Sequence, residues 1–211
     1  MSAVRSDAAA GVPRLTLLVG PADDLSRLED LARAGVDGFQ VRAKAATTRE
    51  LVALTRLALA AVRPHGACVT VDDRLDVALA TGADGVHLGA DDLAVDDARR
   101  IADASGRDDL LVGATCRDRD AVARALEAGA DYAGFGPVHP TTSKTGLPEP
   151  LGVAAVTRAS GLLPLLAIGG IDAGTAAEVV AAGAHGVAVI GAVWRPPDPV
   201  AAAEELLAAL A

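Results

Sequence analysis

Aromatic side chains are nearly missing from this chain, with one Trp, one Tyr and two Phe in 211 residues. The apolar half of the composition (51%) must therefore pack as Ala, Val, Leu and Ile. Such a core suits helices laid on a parallel sheet, whose covered strands read as Val/Ile/Leu runs. Positive charge is also scarce. The 19 Lys and Arg are outnumbered by 28 Asp and Glu, which leaves a net charge of −9. A nucleic-acid partner needs a basic footprint, so that class is excluded. A small anionic ligand is still admitted, because it needs only local cations or a metal. No apolar run approaches the about 18 residues of a membrane span. Met1–Val12 carries no apolar stretch of the secretory kind, so a cytoplasmic protein is expected. The two cysteines, Cys68 and Cys116, lack Cys-x-x-Cys spacing and are expected as buried thiols.

What the chain does have is an internal echo. Gly35-Val36-Asp37-Gly38, Gly82-Ala83-Asp84-Gly85, Gly129-Ala130-Asp131-Tyr132 and Gly183-Ala184-His185-Gly186 each follow a helical pattern and precede an apolar run. The first three recur at an interval of 47 residues. A glycine in that place is a helix C-cap. The runs Phe39–Val41, Val86–Leu88, Ala133–Phe135 and Val187–Ile190 follow the echoes. The runs Leu15–Val19, Cys68–Val71, Leu110–Val112 and Pro164–Ile168 lie between them. Eight strands alternating with eight helices predict a single (β/α)8 TIM barrel of the α/β class, over 15–211. Residues 1–14 are expected as a flexible lead-in. An open doubly wound sheet would carry Gly-x-Gly-x-x-Gly after its first strand. Here that strand runs into Val19-Gly20-Pro21-Ala22-Asp23, without the fingerprint.

In such a barrel the chemistry sits at the C-terminal ends of the strands. The second strand ends in Gln40-Val41-Arg42-Ala43-Lys44, the third in Asp72-Asp73-Arg74 and the fourth in His87-Leu88-Gly89-Ala90-Asp91-Asp92. The fifth ends in Gly113-Ala114-Thr115, the seventh in Gly169-Gly170 and the eighth in Ile190-Gly191. Arg42 and Lys44 are two apart, so on a strand both point to one face and converge on an anion. Asp73 and Asp92 come from neighbouring strand ends. Each alone reads as a helix N-cap. Together with the cations they suit Mg2+, which takes one or two carboxylates plus substrate phosphates. The Gly170 and Ile190-Gly191 turns match the phosphate site that barrels carry after their last two strands. No nucleophile–base pair stands out among His65, His87, His139 and His185. His87 reads as a packed or orienting residue and Trp194 as packing.

The most informative stretch follows the sixth strand: Gly134-Phe135-Gly136-Pro137-Val138-His139-Pro140-Thr141-Thr142-Ser143-Lys144-Thr145-Gly146. Three hydroxyls and a lysine in four positions, Thr141 to Lys144, can cradle a phosphate. Alone, the same residues read as a polar turn capping its own backbone.

With these motifs the chain resembles the thiamin phosphate synthase family, over nearly its whole length. The most specific parts are Gly136–Lys144, Asp73-Arg74 with Asp76-Val77-Ala78, Gly82–Gly89 and Ile168-Gly169-Gly170-Ile171. The resemblance implies the joining of a hydroxymethylpyrimidine diphosphate to a thiazole phosphate, with Mg2+ and release of pyrophosphate. It implies that Gln40, Arg42, Lys44 and Lys144 hold the diphosphate and that Asp73 and Asp92 bind the metal. It implies that Thr141, Ser143, Gly170, Ile190 and Gly191 hold the thiazole phosphate, with Thr142 among the loop hydroxyls. Thr115 takes the place of a family serine near the pyrimidine. The partners implied are these small molecules. A homo-oligomer is left open.

The chain departs from the family pattern at Ala43 (usually Glu), Ala90 (usually Gln), Asp72 (usually Asn) and Arg117 (usually His). Asp72 matters most, since Asn can donate to a diphosphate and an ionised Asp only accepts. Two alternatives remain. One is a thiazole tautomerase-like relative, for which the resemblance implies a histidine acid/base where Arg117 stands. The other is a non-catalytic phosphate- or thiamin-binding barrel, which would not need Asp73, Asp92 and Lys144 together.

Lys144 can strengthen its contact with the departing pyrophosphate as the bond breaks, which acts on the transition state. Lys144→Ala should lower turnover by about 10²–10³ with an unchanged melting temperature. Steady-state pyrophosphate release beside a melting curve checks this. Normal turnover would reduce the Thr-Thr-Ser-Lys loop to a surface turn.

Overall fold

The computed structural model describes residues 11–143, 146 and 148–211. Eight parallel strands close into a barrel in chain order. They are β1 (Leu15–Val19), β2 (Gly38–Val41), β3 (Cys68–Asp72), β4 (Gly85–Leu88), β5 (Leu111–Cys116), β6 (Tyr132–Phe135), β7 (Leu165–Ile168) and β8 (Gly186–Val189). Between and after them run α1 (Leu28–Ala34), α2 (Thr48–Val62), α3 (Leu75–Thr81), α4 (Val95–Ala104), α5 (Arg119–Glu127), α6 (Val153–Ala159) and α7 (Ala176–Ala181). The short α8 (Gly191–Trp194) and then α9 (Pro199–Leu210) follow β8, where one helix was expected. No helix among the described residues is long and apolar enough to cross a membrane.

Alternation along each strand separates two environments. Phe39, Val41, Val69, Val71, Val86 and Leu88 pack under the helices in the main core. Their neighbours Gln40, Asp72 and His87 line a cavity inside the barrel. The scarce aromatics anchor both layers. Phe39 and Phe135 are fully buried, and Tyr132 fills the barrel with Val12 and Leu166.

The sequence echo has a physical cause at the other end of the barrel. The first amides of a strand need acceptors. Asp37 Oδ1 accepts from Leu15 N at 2.8 Å, Asp84 Oδ2 from Val69 N at 2.8 Å and Asp131 Oδ2 from Val112 N at 2.7 Å. Each echo Asp thus ties its strand to the start of the strand before. In the fourth echo His185 takes the Asp position, and its Nε2 lies 2.9 Å from Val12 O.

That contact corrects one expectation. The lead-in does not extend to residue 14, because Val12 is buried against Tyr132 and Leu166. Arg14 N donates to Asp37 Oδ2, and its Nη2 donates to Leu210 O at 2.7 Å, which ties the segment before β1 to the end of α9. Both cysteines are free thiols, Cys116 buried and Cys68 only partly so, which corrects the expectation for Cys68. Burial, aided by nearby Asp84 and Asp37, pushes Cys68 up to about 12, and burial with Asp118 pushes Cys116 up to about 11.

Asp131 also accepts from Arg99 Nη2 at 2.5 Å. Asp131→Ala would remove that acceptor from two partly buried donors, at a cost of about 1–3 kcal/mol. For a chain of this size that is a fall of roughly 2–12 °C in melting temperature. Asp131→Asn, which keeps an acceptor, should lose less. Equal melting curves for wild type and Asp131→Ala would show that the echo carboxylates do not support the fold.

Candidate active site

A cavity of about 690 Å³ opens at the C-terminal ends of the strands. Its floor is polar. His87 on β4 stacks on Tyr132 of β6, with ring centroids 5.6 Å apart. The phenol oxygen lies 3.3 Å from His87 Nδ1, and His87 Nε2 lies 3.0 Å from Thr115 Oγ1. Burial holds the phenol well above its ordinary pKa, so it stays a proton donor. If Tyr132 donates to Nδ1, a neutral imidazole carries its proton on Nε2 and presents it to Thr115. The Thr115 O–H is then free for a ligand. Two glycines make room for this floor. A Cβ on Gly113 would sit 2.1 Å from Tyr132 Cζ, and one on Gly134 2.6 Å from His87 Cε1.

One side of the mouth is a charged corner built on β2, β3 and β4. The strand β2 ends at Val41, so Arg42 and Lys44 lie beyond it and strand alternation does not align them. What gathers them is Asp72, which is 9% exposed. Its Oδ1 accepts from Gln40 Nε2 at 2.6 Å. Its Oδ2 faces Arg42 Nε at 3.1 Å and Lys44 Nζ at 3.8 Å, as ion pairs without aligned hydrogen bonds. Lys44 also pairs closely with Asp73. Burial works against the Lys44 charge, but Asp73, Asp72 and Asp92 together raise its pKa.

Asp73 has φ +63°, a left-handed conformation that Asp tolerates better than most residues. Neither Asp73 nor Asp92 is a helix cap. The cap position of α3 is Arg74 and that of α4 is Ala94, neither with a side-chain cap. Asp92 Oδ2 instead accepts from Gly89 N at 2.8 Å, and Asp92 shares a hydrogen bond with Asp73. Burial, with that shared bond, pushes Asp73 up to about 6 despite Lys44. Burial opposes ionisation of Asp92 too, but the bonds from Asp73 and Gly89 hold it below the usual range. Two neighbouring carboxylates that disfavour being ionised together mark a place that a bound cation would stabilise. Their hard oxygens suit Mg2+. Among the described residues no group of three or more His, Cys, Asp or Glu is arranged to hold a metal ion. A divalent ion here would thus complete its shell with water and ligand oxygens.

The opposite side is lined by backbone and hydroxyls. Gly169 and Gly170 both take positive φ, +101° and +64°. Val138 N donates to Ile168 O and His139 N to Gly169 O, which ties the β6 loop to the β7 turn. Among the described residues no carbonyl accepts from the amides of Gly170 and Ile190. Thr141 Oγ1 accepts from Ser143 N at 3.2 Å. Gly170, Ile190, Gly191, Thr141, Thr142 and Ser143 all line the cavity. Lys144 lies outside the described residues. His139 turns away from the mouth, its Nε2 lying 3.5 Å from Glu178 of α7. Trp194 is packing as expected, its Nε1 donating to Leu18 O at 2.8 Å.

Two residues escaped the sequence reading. Arg117 was noticed only as a departure. It donates to Gly136 O at 3.1 Å and Glu149 O at 2.8 Å, bracketing the β6 loop at both ends. Arg195 carried no motif. It donates to Thr142 Oγ1 at 3.0 Å and Ser143 Oγ at 3.3 Å. Its only signal is its place four residues after Gly191, one helical turn beyond the β8 glycine.

A closed parallel barrel with its polar groups at the C-terminal mouth is a TIM barrel of the enzymatic kind. The family model described as thiamine monophosphate synthase matches residues 15–193. The chain belongs to that family. It is 44% identical over 207 residues to the thiamine-phosphate synthase of Salinispora tropica, covering 97% of this chain and 94% of that protein. It is 46% identical over 195 residues to the thiamine biosynthesis bifunctional protein ThiM/ThiE of Symbiobacterium thermophilum. That match covers 92% of this chain and 40% of the longer protein. Among solved structures, the thiamine phosphate pyrophosphorylase of Pyrococcus furiosus superposes with a TM-score of 0.83 at 33% identity. It covers 93% of this chain and 95% of that one.

Proposed function

We propose that the chain carries out the thiamine-phosphate synthase reaction, joining hydroxymethylpyrimidine diphosphate to thiazole phosphate and releasing pyrophosphate. The observation that supports this is a family match over 15–193 in a chain whose mouth has a cationic corner on one side and hydroxyls with glycine turns on the other. Arg42 and Lys44, with Gln40, would bind the diphosphate at the charged corner. Lys144 would add a further cation there. Thr141, Thr142 and Ser143 and the amides of Gly170, Ile190 and Gly191 would hold the thiazole phosphate. Thr115 would meet the pyrimidine over the His87–Tyr132 floor.

The exocyclic carbon–oxygen bond of the pyrimidine breaks, and pyrophosphate leaves with the electron pair. The thiazole nitrogen lone pair then forms the new carbon–nitrogen bond. The residues need not supply a nucleophile. They hold the two reactants adjacent and stabilise the charge that builds on the leaving group. Mg2+, when held by Asp73 and Asp92, would supply further neutralisation of that charge.

Asp73→Asn and Asp92→Asn should each lower turnover by about 10²-fold or more, with the fold intact. Pyrophosphate release against Mg2+ concentration checks this. Full activity of the double variant in EDTA would rule out the metal role.

Asp72 occupies the cations that the diphosphate would use. Asp72→Asn should free Arg42, leave Lys44 with Asp73 alone and lower KM for the pyrimidine diphosphate, without changing that for thiazole phosphate. A raised Mg2+ requirement would instead make Asp72 a third metal ligand. No change in either would leave it a structural tie between β2 and β3.

A further inference from the structure

We infer that Arg195 is a binding residue for the phosphate of the second substrate and sets the preference for a phosphorylated thiazole. The inference rests on the proposed synthase reaction and adds a residue to it. Arg195 follows α8 and lines the cavity. One nitrogen, Nη2, donates to both Thr142 Oγ1 and Ser143 Oγ. Among the described residues these two hydroxyls are its hydrogen-bond partners. Two consequences follow from the donor inventory.

The first concerns the hydroxyls. A hydroxyl oxygen that accepts from a guanidinium keeps its own proton to donate. Thr141 is in the same state, since its Oγ1 accepts from Ser143 N. Three hydroxyls are thereby turned into donors by contacts inside the protein. Three O–H donors beside a guanidinium favour an anion with several charged oxygens over a neutral alcohol.

The second concerns the guanidinium. Nη2 is engaged, which leaves the Nε and Nη1 protons for a ligand. These two lie on different edges of the guanidinium, so each would donate singly, as a charge-assisted bond, to a phosphate oxygen. Gly191 lies directly beneath it. A Cβ at that position would sit 2.8 Å from Arg195 Nε and 2.9 Å from Cζ. The glycine therefore leaves room for the guanidinium beside the Ile190 amide, which already lacks an acceptor among the described residues. The charge and the amide thus meet at one end of the cavity. The charged corner is formed by other elements, so Arg195 should act on the monophosphate and not on the diphosphate.

The test compares the full chain with Arg195→Gln and Arg195→Lys. Thiazole phosphate and its unphosphorylated alcohol serve as alternative acceptors, and melting curves serve as the folding control. Arg195→Gln should raise KM for thiazole phosphate roughly tenfold. KM for the pyrimidine diphosphate and turnover at saturation should not change. The preference for phosphate over alcohol, as a ratio of kcat/KM, should fall by the same factor, and Arg195→Lys should recover part of it. An unchanged ratio, or KM values that rise equally for both substrates, would overturn the inference and make Arg195 a loop fastener. If the wild type transferred nothing, the synthase proposal itself would fail. Calorimetric titration with thiazole phosphate and with the alcohol would still decide Arg195. Phosphate-dependent affinity lost in Arg195→Gln supports it, and equal affinity for both ligands contradicts it.

Discussion

Three carboxylates at the base of the barrel, Asp37, Asp84 and Asp131, take amide N–H groups from the strands before them. Closing a sheet leaves no edge, but the first amides of each strand still need acceptors. Supplying them at the N-terminal end lets the other end stay irregular. The left-handed Asp73, the Gly169-Gly170 turn and the amides of Gly170 and Ile190 all sit at that free end. The division of labour is visible in the strands themselves. One face carries Val, Leu and Phe to the helices, and the other carries Gln40, Asp72, His87 and Thr115 to the cavity.

Within the mouth, Asp72 organises the charged corner. A buried carboxylate is costly unless it is paired, so Gln40 and Arg42 are drawn to it. Arg42 and Lys44 lie past the end of β2, where no regular backbone would orient them. Their convergence is electrostatic. The same attraction places them in competition with any anionic ligand, and a diphosphate must outbid a carboxylate already in contact with them.

The barrel was legible from the sequence because its signals are local. A glycine C-cap, an Asp and an apolar run recur at one interval, and each element follows from its own few residues. The strand ends could then be read in order, and the structure does bring Arg42, Lys44, Asp73 and Asp92 to one corner. What stayed hidden depends on contacts between distant residues. Strand alternation was the wrong reason for pairing Arg42 with Lys44, because the strand stops at Val41. The cap readings of Asp73 and Asp92 fail because α3 and α4 begin two or more residues later, after their own turns. Val12 looked like loose chain, since its partners Tyr132 and Leu166 are more than a hundred residues away. Arg195 meets Thr142 across 53 positions, and no spacing rule connects them.

The central claim is that one cavity binds two anions at opposite sides. A crystal structure of the chain with thiamin phosphate, pyrophosphate and Mg2+ tests it most directly. The account predicts pyrophosphate against Arg42 and Lys44 and the monophosphate against Ser143, Gly170 and Ile190. Both anions on the same side, or a pyrophosphate that leaves the Asp72–Arg42 and Asp73–Lys44 pairs untouched, would contradict it.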